Sequence, residues 1–281
     1  MPTQREGRDA AGRAQPRVVH VGRANNVFQH LEVLKRNRTR RRQYRELFVE
    51  GARPIQRLLG AGWPIHSICS EDGRALSSWA EATIAASRAR HHYLLAPELM
   101  RQLSDREEPS ELLVVAGMRE ARLADIEEAD DLLVVVLDRP SSPGNIGTVT
   151  RSADALGAHA VVIAGHAADP YDPRAIRASM GSLFAMPLVE IGGPAELEEW
   201  LAARPAVQVL GTDSSGAVPL PDVDLRRPTV VVIGNEAAGA SYGLRGLCGS
   251  VTRIPMVGTA DSLNIAAAAS IVLYEAARQR R

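Results

Sequence analysis

The sequence has few cysteines and no long apolar segment. Cys69 and Cys248 are the two cysteines in 281 residues, and they stand far apart without the spacing of metal ligands. This usage indicates a reducing compartment and argues against a disulfide framework. No apolar run approaches the length of a membrane span, and the first residues, MPTQREGRDAAGRAQPR, lack the apolar core of a signal peptide. We therefore expect a cytoplasmic protein that does not bind a membrane.

Several common nucleotide and metal motifs are also missing. No G-x-G-x-x-G follows the first buried strand of the second half, which argues against a Rossmann dinucleotide site. No G-K-S or G-K-T occurs, which argues against a P-loop for nucleotide hydrolysis. No H-E-x-x-H or Cys/His cluster is present, so we expect no metal site.

Charge is distributed unevenly along a chain whose net charge is zero. Residues 1–60 hold 14 Lys and Arg against 5 Asp and Glu, whereas residues 61–281 hold 19 against 28. A polyanion-binding N-terminal part that is joined to a more acidic catalytic part has this pattern.

The basic charge is densest between residues 35 and 45, where the sequence reads KRNRTRRRQYR. Basic side chains near the aromatic ring of Tyr44 suit phosphate neutralisation and stacking on an unpaired base, although a solvated basic helix face fits the pattern about equally well. On the first interpretation the segment contacts RNA through Lys35, Arg36, Arg38, Arg40, Arg41, Arg42 and Arg45. The carboxylate of Glu50, at the end of a predicted strand, is expected to cap the next helix, with a role in positioning RNA as the alternative.

Apolar periodicity divides the chain into regions. Residues 1–25 show no sustained period and are predicted to be a flexible tail. Residues 26–117 alternate short strands and helices, which predicts a small α/β domain. The polar, acidic segment 118–131 is the expected linker. In residues 132–281, nearly unbroken Leu/Val runs predict strands buried on both faces of a mostly parallel sheet with helices on both sides.

The stretch after the last predicted strand carries small polar residues before a long helix. It begins IPMVGTADSLN, and Asp261 or Ser262 is the expected N-cap, because each has a short side-chain oxygen. Ala266 to Ala269 are small enough to let another backbone approach closely. In open α/β sheets ligands bind beyond the carboxyl ends of the strands, so we expect the loops after several strands to share one site.

Three stretches of the second half, residues 137–158, 230–241 and 254–275, carry a family resemblance. In this order they resemble the three signature motifs of the SpoU/TrmH family of RNA ribose 2′-O-methyltransferases. The matching residues are Asn145, Gly147, Arg151, Gly234, Asn235, Glu236, Gly239, Pro255, Met256, Ser262, Leu263 and Asn264. Position 237, usually glycine in the family, is alanine here. Residues 48–70 resemble, more loosely, the small ribosomal-protein-like RNA-binding domain that precedes many catalytic domains of this family.

The resemblance implies S-adenosylmethionine as cofactor and a deep trefoil knot in residues 132–281. It implies that backbone groups and small or apolar side chains hold the cofactor at Gly211, Thr212, Ile233, Gly234, Asn235, Gly239, Ile254, Met256, Ser262 and Leu263. The catalytic residues that it implies are Arg151, Asn145, Glu236, Ser262 and Asn264, and further RNA contacts follow at Arg177 and Ser179.

Arginine is a poor proton acceptor, because the pKa of a guanidinium lies above about 12. We therefore expect Arg151 to orient the RNA phosphate and to stabilise negative charge that develops on the 2′-oxygen, rather than to remove the proton.

The resemblance also suggests a substrate and an assembly. A separate N-terminal domain is more typical of family members that act on ribosomal RNA, so we expect 23S ribosomal RNA as substrate and a homodimer as the working form. The composition, with Lys35 as the one lysine among 33 basic residues, also resembles that of actinomycete antibiotic-resistance methyltransferases of the avilamycin type. A transfer-RNA 2′-O-methyltransferase and a non-catalytic RNA-binding ribosome factor are the alternatives.

Overall fold

The computed structural model describes residues 16–281, which divide into two compact units. One unit contains residues up to 119 together with 171–177, and the other contains residues 120–170 and 178–281. The boundary falls inside the predicted linker 118–131, but from Glu120 onward this segment is an integral part of the second unit. Ile126 is buried in the core of that unit, and Ala121 forms a β-bridge with Val189.

The first unit contains a five-stranded mixed sheet. Its strands are β1 (Arg17–Val21), β2 (Glu46–Glu50), β3 (Ile65–Glu71), β4 (His91–Leu95) and β5 (Leu113–Gly117). They lie in the order β1-β4-β3-β5-β2, with β5 antiparallel to both of its neighbours and the other pairs parallel. Its helices are α1 (Asn26–Arg36), α2 (Arg38–Tyr44), α3 (Ala52–Gly60), α4 (Ser78–Ala86) and α5 (Pro97–Leu103).

The prediction of a flexible tail over residues 1–25 is wrong for the part that the structure describes. Residues 17–21 form β1, which pairs in parallel with β4 at the edge of the sheet, and residues 1–15 lie outside the described residues. Val21 is buried and Val18 is 53% exposed, so the strand alternates between core and solvent. Five residues are too few for this alternation to stand out in the sequence.

The second half of the chain contains a seven-stranded sheet in which all pairs are parallel. Its strands are β6 (Leu133–Asp138), β7 (Ala160–Ala164), β8 (Leu188–Ile191), β9 (Gln208–Thr212), β10 (Val218–Pro219), β11 (Thr229–Ile233) and β12 (Ser250–Arg253). The order is β10-β12-β9-β11-β6-β7-β8. Every residue of β6, β7 and β11 is buried, which confirms the prediction of an α/β fold with a parallel sheet covered on both faces.

Helices of the second half connect these strands. They are α6 (Pro143–Ala155), α7 (Pro173–Ala178), α8 (Pro194–Ala202), α9 (Tyr242–Leu247) and α10 (Ile265–Gln279). The long helix α10 packs against α6, and the Ser152 and Ser270 hydroxyls meet across this contact at 2.7 Å. Ala266 and Ala269 are buried there, as their small size predicts. None of the helices in residues 16–281 has the length and apolarity needed to cross a membrane.

Two helix starts show how local chemistry selects the first residue, and one of them differs from the prediction. Helix α6 begins at Pro143, where the absent amide hydrogen of proline costs no helical hydrogen bond. Helix α10 begins at Ile265, so the prediction of Asp261 or Ser262 as N-cap is wrong. The cap is Asn264, whose Oδ1 accepts the Ala266 amide at 2.8 Å. The trefoil knot stays a prediction.

Candidate functional site

A pocket of about 340 Å³ lies at the carboxyl ends of β9, β11 and β12. It is lined by Thr212, Asp213, Ser214, Ile233, Gly234, Asn235, Glu236, Ala237, Gly239, Thr252, Ile254, Met256, Ser262, Leu263, Ile265 and Ala268. Nine of the ten residues predicted to hold a cofactor are in this set. The exception is Gly211, which lies within β9 and whose missing Cβ would point toward the Cys248 Sγ, 3.0 Å away.

The loop after β11 forms a tight turn that closes one side of the pocket. Asn235 and Gly239 exchange two backbone hydrogen bonds of 3.0 Å, and the Asn235 Oδ1 accepts the amides of Ala237 and Ala238 at 2.9 and 3.1 Å. Gly239 has a positive φ of 66°, whereas Ala237 does not have a positive φ. Alanine at position 237 is therefore compatible with this turn.

Gly234 occupies the point where the loop crosses its own beginning. A Cβ at this position would lie 2.3 Å from the backbone nitrogen of Ala240, so any side chain would force the turn open. Glycine is therefore required at position 234 for a steric reason, the close approach of two backbone segments, and not for a role in the reaction.

A buried carboxylate fastens the same loop to the end of β6. Asp138 is 2% exposed and accepts the Ser241 amide as well as the Nε hydrogen of Arg139 at 2.9 Å. Arg139 in turn donates to the Gly239 carbonyl at 3.3 Å, and its own carbonyl accepts from the Asn235 side chain at 2.8 Å. Sequence reasoning missed Asp138 and Arg139; the available signal was their position at the carboxyl end of a buried strand, at the start of the first motif.

The three motifs meet in a chain of hydrogen bonds beside the pocket. Glu236 accepts from the Asn145 side-chain amide at 2.8 Å and from the Ser141 hydroxyl at 3.1 Å. The Asn145 Oδ1 accepts from the Asn264 side-chain amide at 3.3 Å. These hydrogen bonds join side chains that are 91 and 119 positions apart in the sequence. Ser141 also belongs to this network, and sequence reasoning missed it.

Glu236 is held in its charged form by this network. Partial burial acts to raise the pKa of its carboxyl, but hydrogen bonds from its own backbone amide, from Asn145 and from Ser141 outweigh burial and leave the pKa below its ordinary value. The group is an ionised acceptor near neutral pH, which fixes the direction of both side-chain amides along the chain.

Arg151 lies on α6, six residues after Asn145, and its side chain is exposed. Among the described residues, no hydrogen-bond or ion-pair partner lies against its guanidinium, and Arg151 is not part of the pocket wall. Ser262 does line the pocket. Of the five predicted catalytic residues, the structure therefore joins Asn145, Glu236 and Asn264 directly, places Ser262 on the pocket, and leaves Arg151 available to a ligand.

Three residues predicted to contact RNA are corrected by the structure. Arg41 is 1% exposed, lies 3.6 Å from Asp172 and donates to the Leu34 carbonyl at 2.8 Å. Lys35 is paired with Asp105 at 2.7 Å and is 11% exposed. Ser179 is fully buried and accepts the Gly181 amide. Arg41 and Ser179 are committed inside the protein, because a buried charge or hydroxyl needs an internal partner, and Lys35 is engaged by a partly exposed carboxylate.

The remaining basic residues of the segment are more accessible. Arg36, Arg38, Arg40 and Arg45 are exposed, whereas Arg42 is half-buried, with its guanidinium 5.3 Å from the centre of the Tyr171 ring. Arg177 is 42% exposed and lies 3.3 Å from Asp105. Contact with RNA stays a prediction for these side chains.

Glu50 does not cap the next helix, so that prediction is wrong. Its carboxylate accepts from the Ser104 hydroxyl at 2.5 Å, the Asp105 amide at 3.2 Å and the Ser110 hydroxyl at 3.3 Å, so it anchors the loop after α5. In residues 16–281 no group of three or more His, Cys, Asp or Glu is arranged to hold a metal ion.

Comparison with known proteins agrees with this geometry. The model of the SpoU rRNA Methylase family matches residues 132–274, and that of the SpoU L30e-like domain matches residues 25–115. A 23S rRNA (uridine(2479)-2′-O)-methyltransferase of Streptomyces viridochromogenes is 42% identical over 274 residues, which cover 96% of this chain and 95% of the relative. The 23S rRNA (guanosine(2553)-2′-O)-methyltransferase RlmP of Bacillus subtilis is 28% identical over 85% of this chain and 90% of its own.

A solved structure extends the likeness to three dimensions. The SpoU methyltransferase AviRb from Streptomyces viridochromogenes, in complex with the cofactor AdoMet, superposes with a TM-score of 0.87 at 43% identity, and the match covers 92% of this chain and 98% of AviRb. The likeness spans the residues of both units. The chain belongs to the SpoU rRNA Methylase family.

Proposed function

We propose that this protein transfers a methyl group from S-adenosylmethionine to a ribose 2′-hydroxyl of 23S ribosomal RNA. The observation that carries the proposal is the convergence of three distant motifs on one pocket, through the hydrogen bonds that join Glu236, Asn145 and Asn264. The two relatives above are named for this reaction on 23S rRNA, and the relative that shares more of the sequence acts on a uridine. We therefore propose a uridine as the target.

The pocket suits S-adenosylmethionine in size and in lining. Its volume of about 340 Å³ lies within the range of about 300–1,000 Å³ that is usual for small-molecule sites. Ile233, Ile254 and Leu263 supply apolar surface for a flat adenine, while Thr212 and Ser262 supply polar groups for the ribose and the amino-acid part. When bound, the cofactor supplies an electrophilic methyl group.

Arg151 is the residue that we assign to the reacting ribose. Its guanidinium is exposed, without a partner among the described residues, and carried by the same helix as Asn145. A fixed positive charge there can bind the RNA phosphate and stabilise negative charge on the attacking 2′-oxygen. Because a guanidinium does not release its proton near neutral pH, the 2′-hydroxyl proton passes to water or to phosphate instead.

We further propose that the protein works in the cytoplasm as a homodimer. Helix α10 exposes Ile271 and Tyr274, which are 38% and 60% exposed and lie three residues apart, and therefore on one side of the helix. Val257, in the loop before this helix, is fully exposed as well. A second copy that covers this apolar surface removes it from water.

The experiment that tests the reaction is transfer of tritiated methyl from S-adenosylmethionine to purified 23S, 16S and transfer RNA, followed by nucleoside analysis. We expect 2′-O-methyluridine in 23S RNA alone. Label in transfer RNA alone would favour the transfer-RNA alternative. Absence of label in every RNA, together with absence of cofactor binding by equilibrium dialysis, would overturn the proposal and leave a non-catalytic RNA-binding ribosome factor.

Resistance to a ribosome-targeting antibiotic of the avilamycin type is the physiological role that we propose for this modification. A susceptible strain that expresses the protein is expected to tolerate more avilamycin than the same strain with Arg151→Ala. Equal inhibitory concentrations, when 23S RNA is methylated by the wild-type protein alone, would instead indicate a housekeeping modification.

A further inference from the structure

One carboxylate in the first unit orients two imidazole rings that the methyl-transfer chemistry does not use. The Glu46 Oε2 lies 2.6 Å from the His30 Nε2, and the Glu46 Oε1 lies 2.8 Å from the His66 Nδ1. Since a carboxylate only accepts hydrogen bonds, each of these nitrogens carries a hydrogen, and the other nitrogen of each ring is directed away from Glu46. No described group hydrogen-bonds to those second nitrogens.

A glycine and a β-bulge make this arrangement possible. Glu46 on β2 and His66 on β3 are separated by β5, where Glu46 is paired with Gly117. A Cβ at Gly117 would lie 3.1 Å from the His66 Nε2 and 2.8 Å from Pro64. The register of β3 against β5 also shifts between Ile65 and Ser67, directly at His66. Bulges commonly re-aim a side chain, and here the side chains of two non-adjacent strands meet above a residue without one.

Tyr44 extends the set into an aromatic surface. Its ring centre lies 5.0 Å from that of His30, and the two rings are tilted by 55°. Tyr44 is 43% exposed, and the side chains of His30 and His66 are 39% and 44% exposed. We call His30, Tyr44, Glu46 and His66 the aromatic patch. Its rings are held in place by contacts beneath them, yet they face solvent.

We propose that the aromatic patch binds an unpaired base of the RNA substrate, which stacks on the Tyr44 ring while its polar edge faces the second ring nitrogens of His30 and His66. Fixed, half-exposed rings suit stacking because little side-chain freedom is lost on binding. Arg40 is exposed and lies four residues before Tyr44 on α2, so its positive charge adjoins the patch and can attract the RNA backbone. Both imidazoles point at carboxylate oxygens rather than at a common point, which disfavours a metal ion as the occupant.

This inference rests on the proposed function, because the ligand is the RNA that the enzyme methylates. The test compares Tyr44→Ala with Tyr44→Phe in the full chain, with 23S RNA as the probe. Tyr44→Ala is expected to raise the KM for RNA about 5- to 150-fold, the equivalent of about 1–3 kcal/mol of stacking free energy for one base. Tyr44→Phe keeps the ring and is expected to match the wild type. The kcat and the Kd for S-adenosylmethionine stay unchanged in both variants.

Glu46→Gln and His20→Ala give the test a second arm. Glu46→Gln removes one of the two acceptors that orient the imidazoles, so we expect a raised KM with unchanged kcat. His20 forms a similar pair with Asp72 at 2.9 Å elsewhere in the same unit, and His20→Ala is therefore the matched control with an unchanged KM. Thermal unfolding verifies that each variant is folded.

The outcomes separate the two proposals. A KM for Tyr44→Ala equal to that of the wild type would overturn the aromatic patch while the methyltransferase proposal stood. If the wild-type protein methylated no RNA, the proposed function would fail, and filter binding of the same RNA to Tyr44→Ala and Tyr44→Phe would still decide whether the patch holds a base. A loss of affinity in both variants would also count against stacking.

Discussion

At the scale of the residue, Arg151 is the side chain on which the proposed chemistry depends most. It is exposed, without a partner among the described residues, and outside the pocket wall. We therefore expect Arg151→Ala to lower kcat about 10²- to 10³-fold, as loss of a group that stabilises developing negative charge does elsewhere. The Kd for S-adenosylmethionine is expected to stay at the wild-type value. Single-turnover kinetics and equilibrium dialysis measure the two quantities separately.

Arg151→Lys is the control for the type of catalysis. Lysine keeps the positive charge but loses the planar fork, so an intermediate rate is expected. The shape of the pH–rate profile should be the same as for the wild type. A displaced ascending limb in Arg151→Lys would show that the side chain at position 151 removes the proton, contrary to the assignment made above.

Glu236 gives a pH-dependent prediction at the same scale. Its pKa in the folded protein is lowered, because hydrogen bonds from its own backbone amide, from Asn145 and from Ser141 outweigh the opposing effect of burial. A lowered pKa stabilises the fold at pH values above the ordinary glutamate pKa, and this contribution is lost as the pH falls through the lowered pKa. Glu236→Gln should therefore lower the unfolding temperature near pH 7 by more than at acidic pH.

The expected loss for Glu236→Gln is at most about 1 kcal/mol, since one accepted hydrogen bond becomes a clash between donors at an exposed site. Thermal unfolding of both proteins between pH 4 and 7.5 measures the difference. A gap between the two melting temperatures that widened toward low pH would contradict the argument. Thr148→Ala, at an exposed position one turn after Asn145 on α6 and outside the hydrogen-bond network of Glu236, controls for general effects of substitution near the site.

At the scale of the element, the start of α10 combines a structural and a functional role in Asn264. Its Oδ1 caps the helix through the Ala266 amide, while its side-chain amide donates to Asn145. Asn264→Ala loses both contacts and is expected to destabilise the protein by about 0.5–2 kcal/mol. Asn264→Asp keeps the cap, so its stability should stay close to that of the wild type. Both variants should lose methyl transfer, because the Asn145 Oδ1 loses the donor that Asn264 supplies and only the bond from Asn145 to Glu236 remains.

Denaturant unfolding together with the methyl-transfer assay distinguishes these roles. Equal destabilisation by Asn264→Ala and Asn264→Asp would show that the hydrogen bond to the Ala266 amide does not cap the helix. Full activity in Asn264→Asp would show that the bond to Asn145 is dispensable.

Elements buried on both faces were the most predictable from sequence. The Leu/Val runs of the second half predicted strands such as β6 and β11, in which every residue is buried, because an unbroken apolar run has few alternative structures. The start of α10 was not predictable in this way, since Asp261, Ser262 and Asn264 all carry a short acceptor suited to a cap. The choice among them depends on where the chain arrives after β12, which is decided by tertiary packing. Edge strand β1 was missed because it has only five residues and pairs with a single neighbouring strand, β4.

At the scale of the whole molecule, the sequence motifs located the candidate pocket, whereas the basic segment did not show which of its side chains are buried. Three motifs identify the family and place the pocket residues, because backbone approach at Gly234 and the loop contacts of Asn235 leave little freedom in residue type. A run of arginines gives no such information. Arg41 pairs with Asp172, which lies more than a hundred residues later in the chain. The local sequence around Arg41 therefore does not indicate that its charge is buried.

The last prediction concerns the assembly. If two copies meet through α10, Ile271 and Tyr274 pass from water into an apolar contact, and a carboxylate at both positions would have to be desolvated there. We expect the wild-type protein to sediment with twice the mass of one chain and the double variant Ile271→Asp, Tyr274→Asp to sediment as a monomer that retains its fold. Val18→Asp, which adds a carboxylate to an apolar position exposed to a similar degree in the first unit, is the control and should remain dimeric. A monomeric wild-type protein would overturn the proposed dimer. A double variant that stays dimeric at micromolar concentration would place the interface elsewhere, because two buried and unpaired carboxylates on each side are incompatible with a stable apolar contact.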